Sequence, residues 1–168
     1  MQIDSLEKLF TDNLKDVYNA EKQILKALPR MAKAATNREL QTALNNHLRQ
    51  TEKQVERLER IFKEFGKNPQ GKKCAGMEGL IEEGKELLAE DVEEDVLDAG
   101  LIGAGQKMEH YEIAAYGCLK TYARLLGNDT AVRLLDETLK EEKEADRILT
   151  EIAERSVNVE ALQGDDRE

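Results

Sequence analysis

The chain of 168 residues has no tryptophan and only three phenylalanines and four tyrosines. Any core it builds must be aliphatic. Two prolines leave room for long, uninterrupted helices. Two cysteines, Cys74 and Cys118, form no Cys-x-x-Cys motif, and nothing here calls for an oxidising compartment. Both read as small core residues. No apolar run approaches the ~20 residues of a membrane span. The first residues, Met1-Gln2-Ile3-Asp4-Ser5, lack the basic stretch and apolar run of a secretory signal, so the expected location is cytoplasmic. There is no basic excess either. The formal net charge is −10, which argues against nucleic acid or an anionic membrane as a partner and favours cations.

What the chain does have is charge and helix formers. Charged residues make up 36% of it, and Ala, Leu, Glu and Lys dominate. This is the composition of a helical bundle with solvated, charged faces. The length suits one domain, expected over residues 1–158, with a polar tail over 159–168 that frays at its end. A first helix is expected from Ser5 to Ala35, capped by Asp4 or Ser5 and kinked at Pro29. A second should run from Arg38 to Phe65. Gly66-Lys67-Asn68-Pro69-Gln70-Gly71 is the clearest break. A short, glycine-interrupted helix is expected from Cys74 to Ala89. Two further long helices should span Glu93 to Leu126 and Asp129 to Arg155, parted by a stop at Gly127-Asn128. Two hairpins joined by one long connection predict an all-α, antiparallel four-helix bundle of ferritin-like type, with an additional short helix in the crossover. A simple up-down-up-down bundle is the alternative if that segment only pads a loop.

One residue breaks the pattern of the first helix. Leu6, Phe10, Leu14, Val17, Tyr18, Leu25 and Leu28 share a stripe, and Glu21 falls in its middle. A buried, unpaired carboxylate costs several kcal/mol, so one in a core implies a cation, a partner or a raised pKa. The third long helix repeats the anomaly with Glu109 at the stripe centre and Glu112 on its flank. The fourth repeats it with Glu142, and Asp146 follows one turn on. Their neighbours Glu141 and Glu144 read as solvated surface charge. Measured from the hairpin turns, Glu112 is level with Glu142, and Glu109 with Asp146. No inward base is evident to neutralise this layer.

Converging carboxylates without a base point to bound metal ions. In ferritin-like di-iron and di-manganese proteins, two helices each contribute a Glu and the other two each a Glu-x-x-His pair. Oxygen-rich donors with an imidazole suit iron or manganese better than a structural zinc. This chain has no Glu-x-x-His motif. Its second helix offers His47 as the best nitrogen donor, with Gln54 on the same side and Gln50 at the flank. A neutral core histidine is the plain alternative for His47. Tyr18 and Tyr116 lie near the layer, where packing is their default role and a hydrogen bond to a carboxylate the sharper one.

Three stretches carry a family resemblance: Tyr18-Asn19-Ala20-Glu21-Lys22-Gln23, the segment Gly71-Lys72-Lys73-Cys74-Ala75-Gly76-Met77-Glu78-Gly79-Leu80-Ile81-Glu82-Glu83, and Glu109-His110-Tyr111-Glu112-Ile113-Ala114. They closely resemble the YciF-type ferritin-like proteins of bacteria, in order and with similar spacing over roughly residues 5 to 155. The resemblance implies a ferritin-like bundle, a homodimer, a link to stress response and a di-iron or related centre. Its candidate ligands are Glu21, His47, Glu109, Glu112 and Glu142. There is one departure. Family members often show His-Leu-x-Glu-Thr where this chain reads His47-Leu48-Arg49-Gln50-Thr51, one negative charge fewer.

Two functions compete on this reading. One is a di-iron oxidase that oxidises ferrous iron with oxygen or peroxide, with di-manganese as the variant. The sequence reveals no pocket for an organic substrate. The other is a non-catalytic stress or assembly protein whose metal, if any, clamps the helices.

Overall fold

The computed structural model describes residues 3–164, and it is helical throughout, with no strand among them. Helix α1 spans Leu6–Ala34 and α2 spans Arg38–Glu64. The short α3 covers Ala75–Ala89, and α4 and α5 cover Glu94–Leu125 and Asp129–Ile152. The last passes through a π-helical turn, Ala153–Val157, into the short α6, Asn158–Gly164. The segment expected as a tail is therefore helical as far as Gly164, and its remainder, 165–168, lies outside the described residues. Ser5 caps α1 by accepting from Lys8 N at 3.2 Å, and the helix continues through Pro29. Gly127, with φ of +73°, turns the chain out of α4, and Asn128 caps α5 through Ala131 N at 2.9 Å.

The direction of α4 is settled by one buried acid. Asp98, five residues into it, accepts from Thr36 N, Thr36 Oγ1 and Asn37 N at 2.9, 2.8 and 2.7 Å. Those donors form the turn between α1 and α2. Helix α4 thus starts where α2 starts and runs parallel to it. The crossover from the far end of α2 must climb the whole bundle. It does so along α1: Lys72 N donates to Lys15 O, Cys74 N to Asn19 Oδ1, and Gln23 Nε2 to Cys74 O. Helix α3 then packs against α1 and α4. At Gly76 it lies so close to Tyr111 that an added Cβ would stand 3.0 Å from the ring. This is the one-crossover topology, and the up-down-up-down alternative is excluded. Every neighbouring pair of long helices is antiparallel.

Asp98 was not singled out from sequence, because an acid near a helix's N-terminus reads as ordinary surface charge. Here it is buried and ties two connections together. Asp98→Ala would remove the acceptor of two backbone donors and a hydroxyl. We expect a loss of about 2–4 kcal/mol in urea denaturation, with the helical circular-dichroism signal at zero denaturant unchanged.

The core is split. One apolar cluster holds Phe10, Leu14, Leu58, Phe62, Leu119 and Leu135. The other holds Ile24, Leu28, Leu44, Leu101, Met108 and Leu149. In α1 the break falls between Val17 and Ala20, and in α5 between Leu139 and Leu149. The residues that fill the gap are polar.

Candidate metal centre

Four long helices each send polar side chains into this gap. Glu21 comes from α1, His47, Thr51 and Gln54 from α2, Glu109 and Glu112 from α4, and Thr138 and Glu142 from α5, all buried. Spacing explains the set. Residues 109, 112 and 116 share one face of α4, as do 47, 51 and 54 on α2.

Glu142 is the hub. Its carboxylate lies 3.7 Å from His47 Nε2, which is itself 3.2 Å from Glu109. Gln54 Nε2 donates to Glu142 Oε1 and, at 3.0 Å, to Glu141 Oε2. The carboxyls of Glu109 and Glu112 both press against that of Glu142. One donor atom from each of His47, Glu109, Glu112 and Glu142 falls within 4.8 Å of all the others. Glu21 stands just behind this quartet. Its carboxyl faces Glu112, and Tyr116 OH donates to its Oε1.

This packing is electrostatically hostile. Burial, reinforced by the nearby charge of Glu142, pushes the Glu21 carboxyl up to about 8. Burial also holds Glu109 and Glu112 well above the usual carboxylate range, reinforced by Glu142 in each case. Burial raises the Tyr116 phenol as well, with Glu21 adding to it. Several polar atoms are sealed from solvent without any hydrogen-bond partner. They are Glu21 Oε2, His47 Nδ1, Gln54 Oε1, Glu109 Oε2, both oxygens of Glu112 and Glu142 Oε2. Buried polar atoms are almost always satisfied, so this concentration demands a cause.

Several expectations change at this point. Asp146 does not join the layer. It is half-buried, and its carboxylate accepts from Gln106 Nε2 at 3.1 Å and faces His110 Nε2 at 3.2 Å. Four residues past Glu142 is about 40° beyond a full turn, enough to carry it off the stripe. Glu109 accordingly meets His47 and Glu142, not Asp146. Tyr18 hydrogen-bonds a carboxylate outside the layer, Glu59 at 2.9 Å, and its ring packs edge-on against Phe62. Gln50 is half-buried and lines an outer groove beside His47. Cys74 is buried, but Cys118 is exposed, two residues past Tyr116 on the opposite face of α4. Of the two tyrosines, Tyr116 is the one on a layer carboxylate.

Sequence reasoning missed Arg57 and misplaced Glu141. Arg57 is buried on α2 and grips Glu141 with both terminal nitrogens, at 2.6 and 2.8 Å. It also reaches Glu137 at 2.7 Å and Thr138 at 3.2 Å. Glu141 is therefore a half-buried ion-pair partner rather than a solvated charge. The signal was available: Arg57 lies three residues past Gln54, on the inner stripe. Long basic side chains are easily discounted there, because their stems bury while their heads reach outward. Arg57 neutralises Glu141 and leaves the quartet uncompensated.

The groove beside the layer was also missed. A cavity of about 960 Å³ runs between α2 and α5, with Ala43, Leu44, Ile148 and Leu149 in its lining. His47 and Glu109 lie on its wall. Among the described residues, no helix is long and apolar enough to cross a membrane.

Comparison with known proteins agrees with this architecture. Residues 5–162 match the family described as "Domain of unknown function (DUF892)". Protein YciF of Escherichia coli K12 is 44% identical over 162 residues, spanning 96% of this chain and 98% of that one. The crystal structure of the E. coli stress protein YciF superposes with a TM-score of 0.89, covering 93% of this chain and 99% of that chain. The structure of YcfI from Rhodopseudomonas palustris, 46% identical, gives a TM-score of 0.87 and covers 89% and 95% of the two chains. A Xanthomonas campestris protein, 20% identical with a TM-score of 0.75, shares the fold.

Proposed function

The chain belongs to the DUF892 family, whose members include the E. coli stress protein YciF, and from that footing we propose that its work is done at the buried carboxylate layer, as a ferritin-like di-iron centre in the stress response. The observation that carries this reading is the concentration of partnerless buried donors aimed at one point. Four glutamates, when ionised, bring four negative charges into a dry layer where, among the described residues, His47 is the one basic side chain in the quartet. Two divalent cations balance them. Glu109, Glu112, Glu142 and His47 would hold the first ion, and Glu21 would complete the place for a second. The donor set, oxygen-rich with one imidazole, fits iron and, as the variant, manganese.

When bound, a pair of ferrous ions supplies electrons to oxygen or peroxide. The chain's own contribution is electrostatic and geometric. The carboxylates match the charge of the loaded state, and Tyr116 and Gln54 fix the orientation of Glu21 and Glu142. The two apolar clusters exclude water from either end. We further infer a homodimer in the cytoplasm, which light scattering would read as twice the mass of one chain.

A second reading has its own support. The α2 wall contributes an imidazole and an amide, His47 and Gln54, and no carboxylate, and Arg57 with Glu141 braces α2 against α5. That favours a metal that clamps the bundle without turnover. Protein purified without chelator should contain about two metal ions per chain by elemental analysis, and it should accelerate the oxygen-dependent oxidation of added ferrous iron. Metal without acceleration would decide for the clamp. Absence of metal after incubation with ferrous or manganous ion would remove both readings.

A further inference from the structure

The inference below rests on the metal reading and adds the way in. Glu21, Glu112 and Glu142 have no exposed surface at all, whereas Glu109 keeps 2% and His47 5%. Both of the latter line the groove between α2 and α5. On its other sides the layer is shut. Tyr116 covers Glu21, Gln54 covers Glu142, and an apolar cluster closes each end. An ion reaching the quartet by any other path must part a packed core. From the groove it has one obstacle to pass, the imidazole of His47.

That ring is held on one edge only. Nε2 faces Glu109 and Glu142, while Nδ1 is buried without a partner. A histidine ligand ordinarily has its second nitrogen anchored by a carboxylate, carbonyl or water, which fixes the ring. Among the described residues no group does so, and rotation about the side-chain torsions breaks no hydrogen bond at that edge. Gln50 lies three residues on and lines the same groove. Its amide carbonyl can greet a partly dehydrated cation without the trapping strength of a carboxylate. The rim mixes signs, with Glu52 beside Lys53 and Glu151 near Arg155, so the guiding field comes from the chain's net negative charge.

We propose that the groove between α2 and α5 is the channel by which divalent cations reach the buried quartet, and that His47 is its gate. The ring swings toward the groove to admit the hydrated ion. It returns as a ligand once the carboxylates have replaced the ion's water.

Stopped-flow uptake of cobaltous ion by the metal-free full chain tests this, read beside the equilibrium stoichiometry. Asn46→Trp and Ala145→Trp fill the groove from opposite walls. Each should slow the second-order uptake rate by about tenfold or more while the final stoichiometry stays at the wild-type value. Lys53→Trp, at an exposed position on the α2 wall, repeats the test if Asn46→Trp fails to fold. His47→Ala should take up the ion faster than wild type yet hold it more weakly, a split that a purely structural histidine would not produce. Uptake at the wild-type rate by the tryptophan variants overturns the channel. Uptake by His47→Ala at or below the wild-type rate overturns the gate. If wild-type protein binds no cobalt at equilibrium, the metal reading falls and this one with it.

Discussion

Glu112→Leu is expected to make the metal-free protein more stable and to cost it its metal. Both oxygens of Glu112 are buried and partnerless, and its surroundings hold its carboxyl well above the ordinary range. In the metal-free protein this side chain is a liability, whichever protonation state it adopts. Replacing buried ionic groups with apolar ones of similar volume is often neutral or stabilising by about 1–4 kcal/mol. The leucine methyls would face Glu21, Glu109 and Glu142, and relief of their mutual repulsion adds to the gain. A ligand stabilises the native state by RT ln(1 + [L]/Kd), about 2.7 kcal/mol at a hundredfold excess over Kd. Wild type should show that increment with ferrous or manganous ion, and Glu112→Leu should not. Thermal denaturation of both proteins, with and without metal, reads all four values. A variant that is less stable in the metal-free state and still gains stability from metal would show that Glu112 is an ordinary packing residue.

The second large effect is with pH. The Glu21 carboxyl rises from an ordinary value of 4.5 to about 8, and Glu109 and Glu112 move the same way. A raised folded-state pKa means that the native chain binds more protons than the unfolded one between those two values. The slope of unfolding free energy with pH is then negative. This contribution is fully present below the unfolded value of 4.5 and is lost as pH rises through about 8. Each tenfold difference in proton affinity corresponds to about 1.4 kcal/mol. Metal-free protein should therefore be several kcal/mol more stable at about pH 5 than at about pH 8. Loaded protein should show the reverse trend in its metal increment, because metal binding must displace those protons. Urea titrations across this range, with and without metal, check both slopes. A metal-free stability that rises toward pH 8 would sink this account of the layer.

Much of this molecule was legible in its residues. The long helices begin and end within a residue or two of their expected bounds in most cases, because caps and breakers are local. Ser5, Asn128 and Gly127 act through their immediate neighbours. Burial of Glu21, Glu109 and Glu142 followed from phase alone, since each lies amid apolar residues whose side is not in doubt. The errors came where phase drifts or where long side chains choose their own direction. Asp146 and Tyr18 sit about 40° and 60° from a ligand's direction, which a wheel does not resolve. Arg57 and Glu141 each carry a flexible stem, and only the facing helix determines whether that stem turns inward.

By itself, the sequence determined that the chain is an all-α bundle of two hairpins, and that at least three glutamates turn toward its core. Both are consequences of periodicity along single helices, which short-range geometry enforces. The tertiary structure decided the rest. It made α4 parallel to α2, through the bonds from Asp98 to a turn about sixty residues away in sequence. It chose Glu142 as the hub, set Glu21 behind it under Tyr116, paired Arg57 with Glu141, and opened a groove onto His47. Each of these depends on the relative height and rotation of separate helices. Packing across the bundle sets those two quantities, and no single helix encodes them.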